Sequence, residues 1–148
     1  MKSYLLIPAL IGLLFIQATP TEQSAKAAAG MEFFEGTWED ALKQAKAEDK
    51  LIFMDAYAVW CGPCKLLKRN VFPIEEVGTL YNANFINVQM DMEKGIGRNL
   101  AQQYKVTAYP TLLFIDGDGK VVHKAVGYHP KDQFIALGNK VIETRQQG

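Results

Sequence analysis

The sequence predicts an α/β domain built on a central mixed β-sheet flanked by helices, and three observations carry that prediction. First, Leu51–Tyr57, Phe85-Ile-Asn-Val-Gln-Met90 and Thr111–Ile115 are short apolar segments that read as strands. The first of them is almost continuously apolar, as expected where both faces of a strand are covered. Second, the stretches between these segments repeat their apolar residues at helical spacing. Third, Asp116-Gly-Asp-Gly119 supplies a tight turn between Thr111–Ile115 and residues 120–126, so the last two strands form a β-hairpin. The expected order is β-α-β-α-β-α-β-β-α, a sheet with helices on its faces.

Each element has its own local justification. Met31-Glu-Phe-Phe34 is a short strand candidate. Thr37 caps the first helix, with Asp40 three residues later completing an imperfect capping box. Trp38, Ala41, Leu42 and Ala45 then fall at i, i+3, i+4 and i+7, one face of an amphipathic helix. The strand ending at Tyr57 is interrupted by a single acid, Asp55. In the helix after it, Cys64, Leu67 and Val71 share a face until Pro73 intervenes. Pro63 is tolerated in the first turn because its missing N–H would have had no helical partner. Val77, Leu80 and Tyr81 mark a further helical piece. Beyond the next strand, Ile96, Leu100 and Tyr104 share a helical face. Pro130 opens a last helix with Phe134, Leu137 and Val141 inward.

The 148 residues, 49% of them hydrophobic, suit one domain with a sizeable core. Lys+Arg and Asp+Glu balance at 16 each, which leaves no electrostatic footprint for nucleic acid or an anionic membrane. The N-terminus reads as a targeting segment. Lys2 precedes an apolar run from Leu5 to Ile16 that falls short of the roughly 20 residues needed to span a bilayer but matches a signal-peptide core. Cleavage is expected after Ala18, with Ala27-Ala-Ala29 as a second candidate site. The alternative is an uncleaved anchor, which would then be the chain's membrane contact. The expected plan is a signal peptide or anchor at 1–18, a polar, Ala-rich tether at 19–30 and a folded domain at 31–148. Such a leader points to a periplasmic or otherwise extracytoplasmic location.

The chemistry centres on Cys61 and Cys64, the only cysteines, separated by Gly62-Pro63 between an apolar strand and a helical pattern. Aligned N–H groups and the positive end of the helix dipole favour a thiolate at the first cysteine, and the thiolate is the nucleophile. A static disulfide is one alternative, but a bridge across so small a loop confines little chain. Half a zinc site is another, but zinc takes about four ligands. His123 and His129 lie far off in sequence, and no second Cys pair exists. No metal or cofactor is expected. Asp116-Gly-Asp-Gly119 resembles the start of a calcium loop, yet Val121 stands where that loop's Gly belongs and Gly127 where its terminal Glu belongs. Asp55 is harder to explain structurally, because a buried carboxylate is costly unless neutralised or paired. It reads either as a proton acceptor, through water, for Cys64 or as a carboxylate hydrated or bonded at the strand end.

Trp60-Cys-Gly-Pro-Cys-Lys65 resembles the thioredoxin active site, and Asp55 precedes Cys61 by six residues, as in that family. Tyr109-Pro110-Thr111, ahead of an apolar strand and a hairpin, resembles the family's cis-proline segment, and Gly127 falls where the family keeps a glycine. The likeness spans about residues 31–145. The long first helix and the 93–108 stretch are similar to exported thioredoxin-like domains, including the C-terminal domain of membrane thiol:disulfide interchange reductases. The resemblance implies a thioredoxin-like fold, with Cys61, Cys64 and Asp55 as catalytic residues and Pro110 cis against the cysteines. It further implies a substrate-binding surface at Trp60, Gly62, Pro63, Tyr109, Pro110 and Gly127, along which an extended disulfide-containing protein segment lies in the manner of an added strand. One departure stands out. The family carries a lysine near its buried acid, on the strand at 85–90, and Asn87 is expected in that place.

The implied activity is an exported thiol:disulfide oxidoreductase that reduces substrate disulfides, since Gly-Pro between the cysteines resembles the reducing members. A reductant in a compartment kept oxidising needs electrons from a membrane-embedded thiol donor. The alternatives are a disulfide oxidase or isomerase in the same compartment, or a non-catalytic folding or assembly module that binds extended segments.

Overall fold

Helix α1 (Trp38–Ala47) begins where the capping box places it: the Asp40 N–H donates to the Thr37 hydroxyl at 3.1 Å, and the Asp40 carboxylate accepts from the Thr37 N–H. The structure, a computed structural model, describes residues 30–147, so the signal segment and nearly all of the tether lie outside the described residues. After α1 come β1 (Leu51–Tyr57), α2 (Gly62–Asn70), α3 (Glu75–Asn84), β2 (Phe85–Asp91), α4 (Gly97–Gln103), β3 (Thr111–Ile115), β4 (Val121–Val126) and α5 (Lys131–Gln146). The sheet order is β2-β1-β3-β4, with β1 parallel to β2 and antiparallel to β3, and β3 antiparallel to β4. No helix among the described residues is long and apolar enough to cross a membrane.

Strand alternation divides the core into two layers. Ile52, Met54, Ala56, Ile86, Val88, Leu113 and Ile115 face α1 and α4, where they meet Trp38, Ala41, Ala45 and Leu100. Leu51, Phe53, Phe85, Leu112 and Phe114 face the opposite way, onto Leu67 of α2, Val77 and Tyr81 of α3, and Phe134, Leu137 and Val141 of α5. Asp55, two residues after Phe53, belongs to this second face by the same alternation. The Tyr81 and Phe134 rings stack at 4.4 Å, and the Tyr81 hydroxyl donates to the Phe134 carbonyl at 2.8 Å.

Two expectations require correction. Residues 31–34 form no strand. Their backbone makes two isolated bonds to other backbone groups, Met31 N–H to the Phe72 carbonyl at 2.7 Å and Phe34 N–H to the Asn87 carbonyl at 2.8 Å. Glu32, between them, bonds side-chain amides instead of a ladder: its N–H donates to Asn82 Oδ1 at 2.9 Å and its carbonyl accepts from Asn87 Nδ2 at 3.1 Å. The helical face expected over Ile96, Leu100 and Tyr104 is also shorter, because Ile96 lies at the N-cap of α4 and is 41% exposed.

Asn87 is thus a structural clamp. It is buried, and Nδ2 also donates to Asn82 Oδ1 at 3.0 Å. Asn87→Ala is expected to destabilise the domain by about 2 kcal/mol, because the two hydrogen bonds donated by its buried amide, to the Glu32 carbonyl and to Asn82 Oδ1, are lost. Denaturant unfolding checks the loss, and turnover should keep its pH dependence.

Candidate active site

The end of β1 and the start of α2 deliver the cysteine pair. Cys61 is the N-cap of α2, and its Sγ accepts a hydrogen bond from the Cys64 N–H at 3.2 Å. A sulfur in that position meets one of the orphan donors of a helix N-terminus, which stabilises negative charge on it. Pro63 occupies the first turn, and it and Gly62 are exposed. Cys61 and Cys64 are joined as a disulfide, with Cα atoms 5.3 Å apart. Both are buried, at 2% and 5% exposure, beside Ala58, with Tyr57 and Tyr109 packed against them. Exposure therefore does not distinguish the two sulfurs, whereas the cap bond is made to Cys61 Sγ.

Asp55 is buried at 1% exposure and lines a cavity together with Cys64. Burial pushes its carboxyl up to about 6, against a smaller opposing pull from the Gln89 amide and from the charge of Lys68. Gln89 Nε2 donates to Oδ2 at 3.2 Å, while Oδ1 is buried with no protein partner. A cavity of about 230 Å³ runs beside it, lined by Asp55, Tyr57, Cys64, Lys65, Lys68 and Gln89. Asn87, expected near the acid, is not its neighbour across the strands. In the β1–β2 register Asp55 stands beside Gln89, whereas Asn87 stands beside Phe53.

The outer rim is aromatic. Trp60 is 65% exposed, meets Tyr109 edge to face at 5.8 Å and donates from Nε1 to Glu93 Oε2 at 3.0 Å. The loop carrying Glu93 is itself held by Arg98 Nε, which donates to the Glu93 carbonyl at 2.7 Å. The Tyr109–Pro110 peptide is cis and Pro110 is buried. Gly127 donates its N–H to the Pro110 carbonyl at 2.8 Å from a left-handed conformation, φ +93°. That geometry ties the end of β4 to the proline and favours glycine. Contacts thus run from Trp60 to Tyr109 and from Pro110 to Gly127, and of these residues Tyr109 packs against the cysteines.

Other candidates lie apart. His123 meets the Phe114 ring at 6.1 Å, and His129 Nδ1 pairs with the Gly127 carbonyl at 2.9 Å. Asp116 closes its turn by accepting from the N–H groups of Asp118 and Lys120. A larger cavity of about 460 Å³ sits away from the chemistry, and charged residues on its rim pair with each other, Lys46 with Asp118 at 2.6 Å and Asp49 with Arg145. Sequence reasoning missed Gln89, Lys68 and Glu93. Each is a polar residue at an unremarkable surface-type position, and only the strand register, the turn of α2 and the loop after β2 reveal what it faces.

Fold and site together define a disulfide-exchange domain. The chain belongs to the thioredoxin family: a profile of the thioredoxin-like domain matches residues 38–142. It is 35% identical to Thioredoxin 2 of Chlorobaculum tepidum over 101 residues, covering 68% of this chain and 87% of that protein. It is 44% identical to a solution structure described as a candidate disulphide-isomerase from Bacteroides thetaiotaomicron, with a TM-score of 0.69, covering 78% of this chain and 96% of that one. With the thiol:disulfide interchange protein DsbD of Pseudomonas fluorescens it shares 32% identity over 80 residues, 53% of this chain and 14% of that protein. The protein is a thioredoxin-like disulfide oxidoreductase with Cys61 and Cys64 as its redox pair.

Proposed function

We propose that the protein works outside the cytoplasm as a reductant of disulfides in protein substrates. Cys61, as thiolate, attacks a substrate disulfide: a Cys61–substrate disulfide forms, and the other substrate sulfur leaves as a thiolate. Cys64 gives its proton, through water, to Asp55 and attacks Cys61 Sγ. The Cys61–Cys64 disulfide forms, and the second substrate sulfur leaves with its electron pair. A membrane-embedded thiol donor then returns the pair to the dithiol. The observation that carries the order of attack is the hydrogen bond from Cys64 N–H to Cys61 Sγ at the helix N-cap. The leader-like run from Leu5 to Ile16 and the likeness to part of a thiol:disulfide interchange protein support the location and the donor.

The substrate would lie extended over Trp60, Gly62, Pro63, Tyr109, Pro110 and Gly127, pairing with backbone beside the cis-proline. Equilibrium titration of residues 31–148 against a glutathione or dithiothreitol couple tests direction. A potential near about −270 mV is expected for a reductant, against about −120 mV for a strong oxidant; the gap is roughly 7 kcal/mol for two electrons. The likeness to the described disulphide-isomerase favours a second reading, isomerisation. A potential above about −180 mV would support it and overturn the reductant. Equal substrate binding and cellular function after Cys61→Ser and Cys64→Ser would instead leave an assembly module.

A further inference from the structure

Asp55 is held unevenly. One carboxylate oxygen accepts from Gln89, the other has no protein partner, and the carboxylate lines the cavity that also reaches Cys64. At about 230 Å³, lined by Asp55, Gln89, Lys65 and Lys68 among others, this space is polar and roomy enough for water. The bond from β2 is neutral, so it orients the carboxylate without bringing charge to it. The facing groups can be named element by element. β1 itself contributes Tyr57. On α2 stand Cys64, Lys65 and Lys68. β2 contributes the Gln89 amide, and Asp91 near its end acts on Tyr57. On β3 the neighbour of Asp55 is the apolar Leu112.

We propose that the cavity beside Cys64 is the proton port of the site and that Lys68, on the exposed side of α2, is its positioning residue. Across the port its ammonium favours the anionic form of Asp55, the form able to receive the Cys64 proton. This rests on the reading of Asp55 as proton acceptor. In the resolving step the Cys64 S–H bond breaks, the proton reaches the Asp55 carboxylate through water, and the sulfur keeps the electron pair with which it attacks Cys61 Sγ. The neutral Asp55 then returns its proton to solvent through the same port. The charge of Lys68 lowers the Asp55 carboxyl against the upward push of burial, so its removal raises the pH at which Asp55 becomes anionic. Lys65 lines the port as well but follows Cys64 directly and serves as the control.

The test is the pH dependence of the resolving step, measured by stopped flow on the mixed disulfide formed with a small aromatic disulfide, together with NMR titration of the Asp55 carboxyl. In Lys68→Gln the acidic midpoint of both is expected to move upward by about half a unit in dilute buffer. The difference from wild type should largely vanish in about 1 M salt, where the screening length is near 3 Å. Lys68→Arg should keep the wild-type midpoint, and Lys65→Gln should move it less than Lys68→Gln does. An unmoved midpoint in Lys68→Gln, or an equal move in Lys65→Gln, overturns the assignment to Lys68. Asp55→Asn separates the two ideas. If it leaves the rate profile unchanged, the proton-acceptor reading fails; if it removes the acidic limb while Lys68→Gln has no effect, only the port assignment fails.

Discussion

Asp55→Asn is expected to stabilise the oxidised domain by about 3 kcal/mol at pH 7.5 while leaving its stability near pH 3 almost unchanged. The carboxyl is buried at 1% exposure, and burial raises it from 3.8 to about 6. In the unfolded chain it ionises at its ordinary value. Between those two values the native state holds more protons than the unfolded state, so stability falls as pH rises through this window. The penalty is absent below about pH 3, where both states are protonated, and complete above about pH 7, where both are ionised. Asparagine is nearly isosteric, can still accept from Gln89 and carries no charge to desolvate. Denaturant unfolding of both proteins at the two pH values measures the difference. An equal gap at both would mean that packing, not ionisation, separates them. The same variant is expected to slow reductive turnover at neutral pH, so it trades catalytic rate for stability at one carboxylate.

Local signals were legible in the sequence, and pairings across long crossovers were not. Thr37 and Asp40 form the expected capping box, the turn at Asp116–Gly119 joins β3 to β4, and Cys61 lands at the N-cap of α2. Each depends on residues a few positions apart, where sequence spacing is nearly spatial spacing. The misplacement of Asn87 has a different origin. β1 and β2 are parallel and separated by α2 and α3, so no tight turn sets their register. A slip of one residue would turn apolar side chains outward and show in the pattern, but a slip of two keeps every side chain on its own face. Asn87 and Gln89 are such a pair, and only their partners tell them apart: one holds Glu32 and Asn82, the other holds Asp55. Residues 31–34 misled for a related reason. Their apolar, β-prone composition fits an extended chain beside the sheet, but side-chain amides take the backbone groups of Glu32 that a ladder would use. Glu93 had no signal at all, since a single acid after a strand matches no pattern until Trp60 is seen donating to it.

Cys64→Ser is expected to reduce multiple-turnover reduction of a protein disulfide at least about a thousand-fold and to accumulate mixed disulfides through Cys61. The two sulfurs are already within bonding reach, their Cα atoms 5.3 Å apart, so resolution in the native protein is intramolecular and needs no external thiol. Well-oriented intramolecular attack corresponds to effective concentrations of about 10⁵ M or more, which no free thiol at millimolar concentration replaces. Serine keeps the size of the side chain but not its acidity, and its hydroxyl offers almost no anion at neutral pH to attack the mixed disulfide. The attack by Cys61 survives, because its helix N-cap position and the Cys64-site backbone N–H do not depend on the side chain at 64. Cys61→Ser should therefore abolish trapping as well as turnover. Non-reducing electrophoresis and mass spectrometry of the trapped species decide the matter. Trapping that requires Cys64 and persists without Cys61 would reverse the two roles, and would mean that the cap bond to Cys61 Sγ does not select the attacking thiolate.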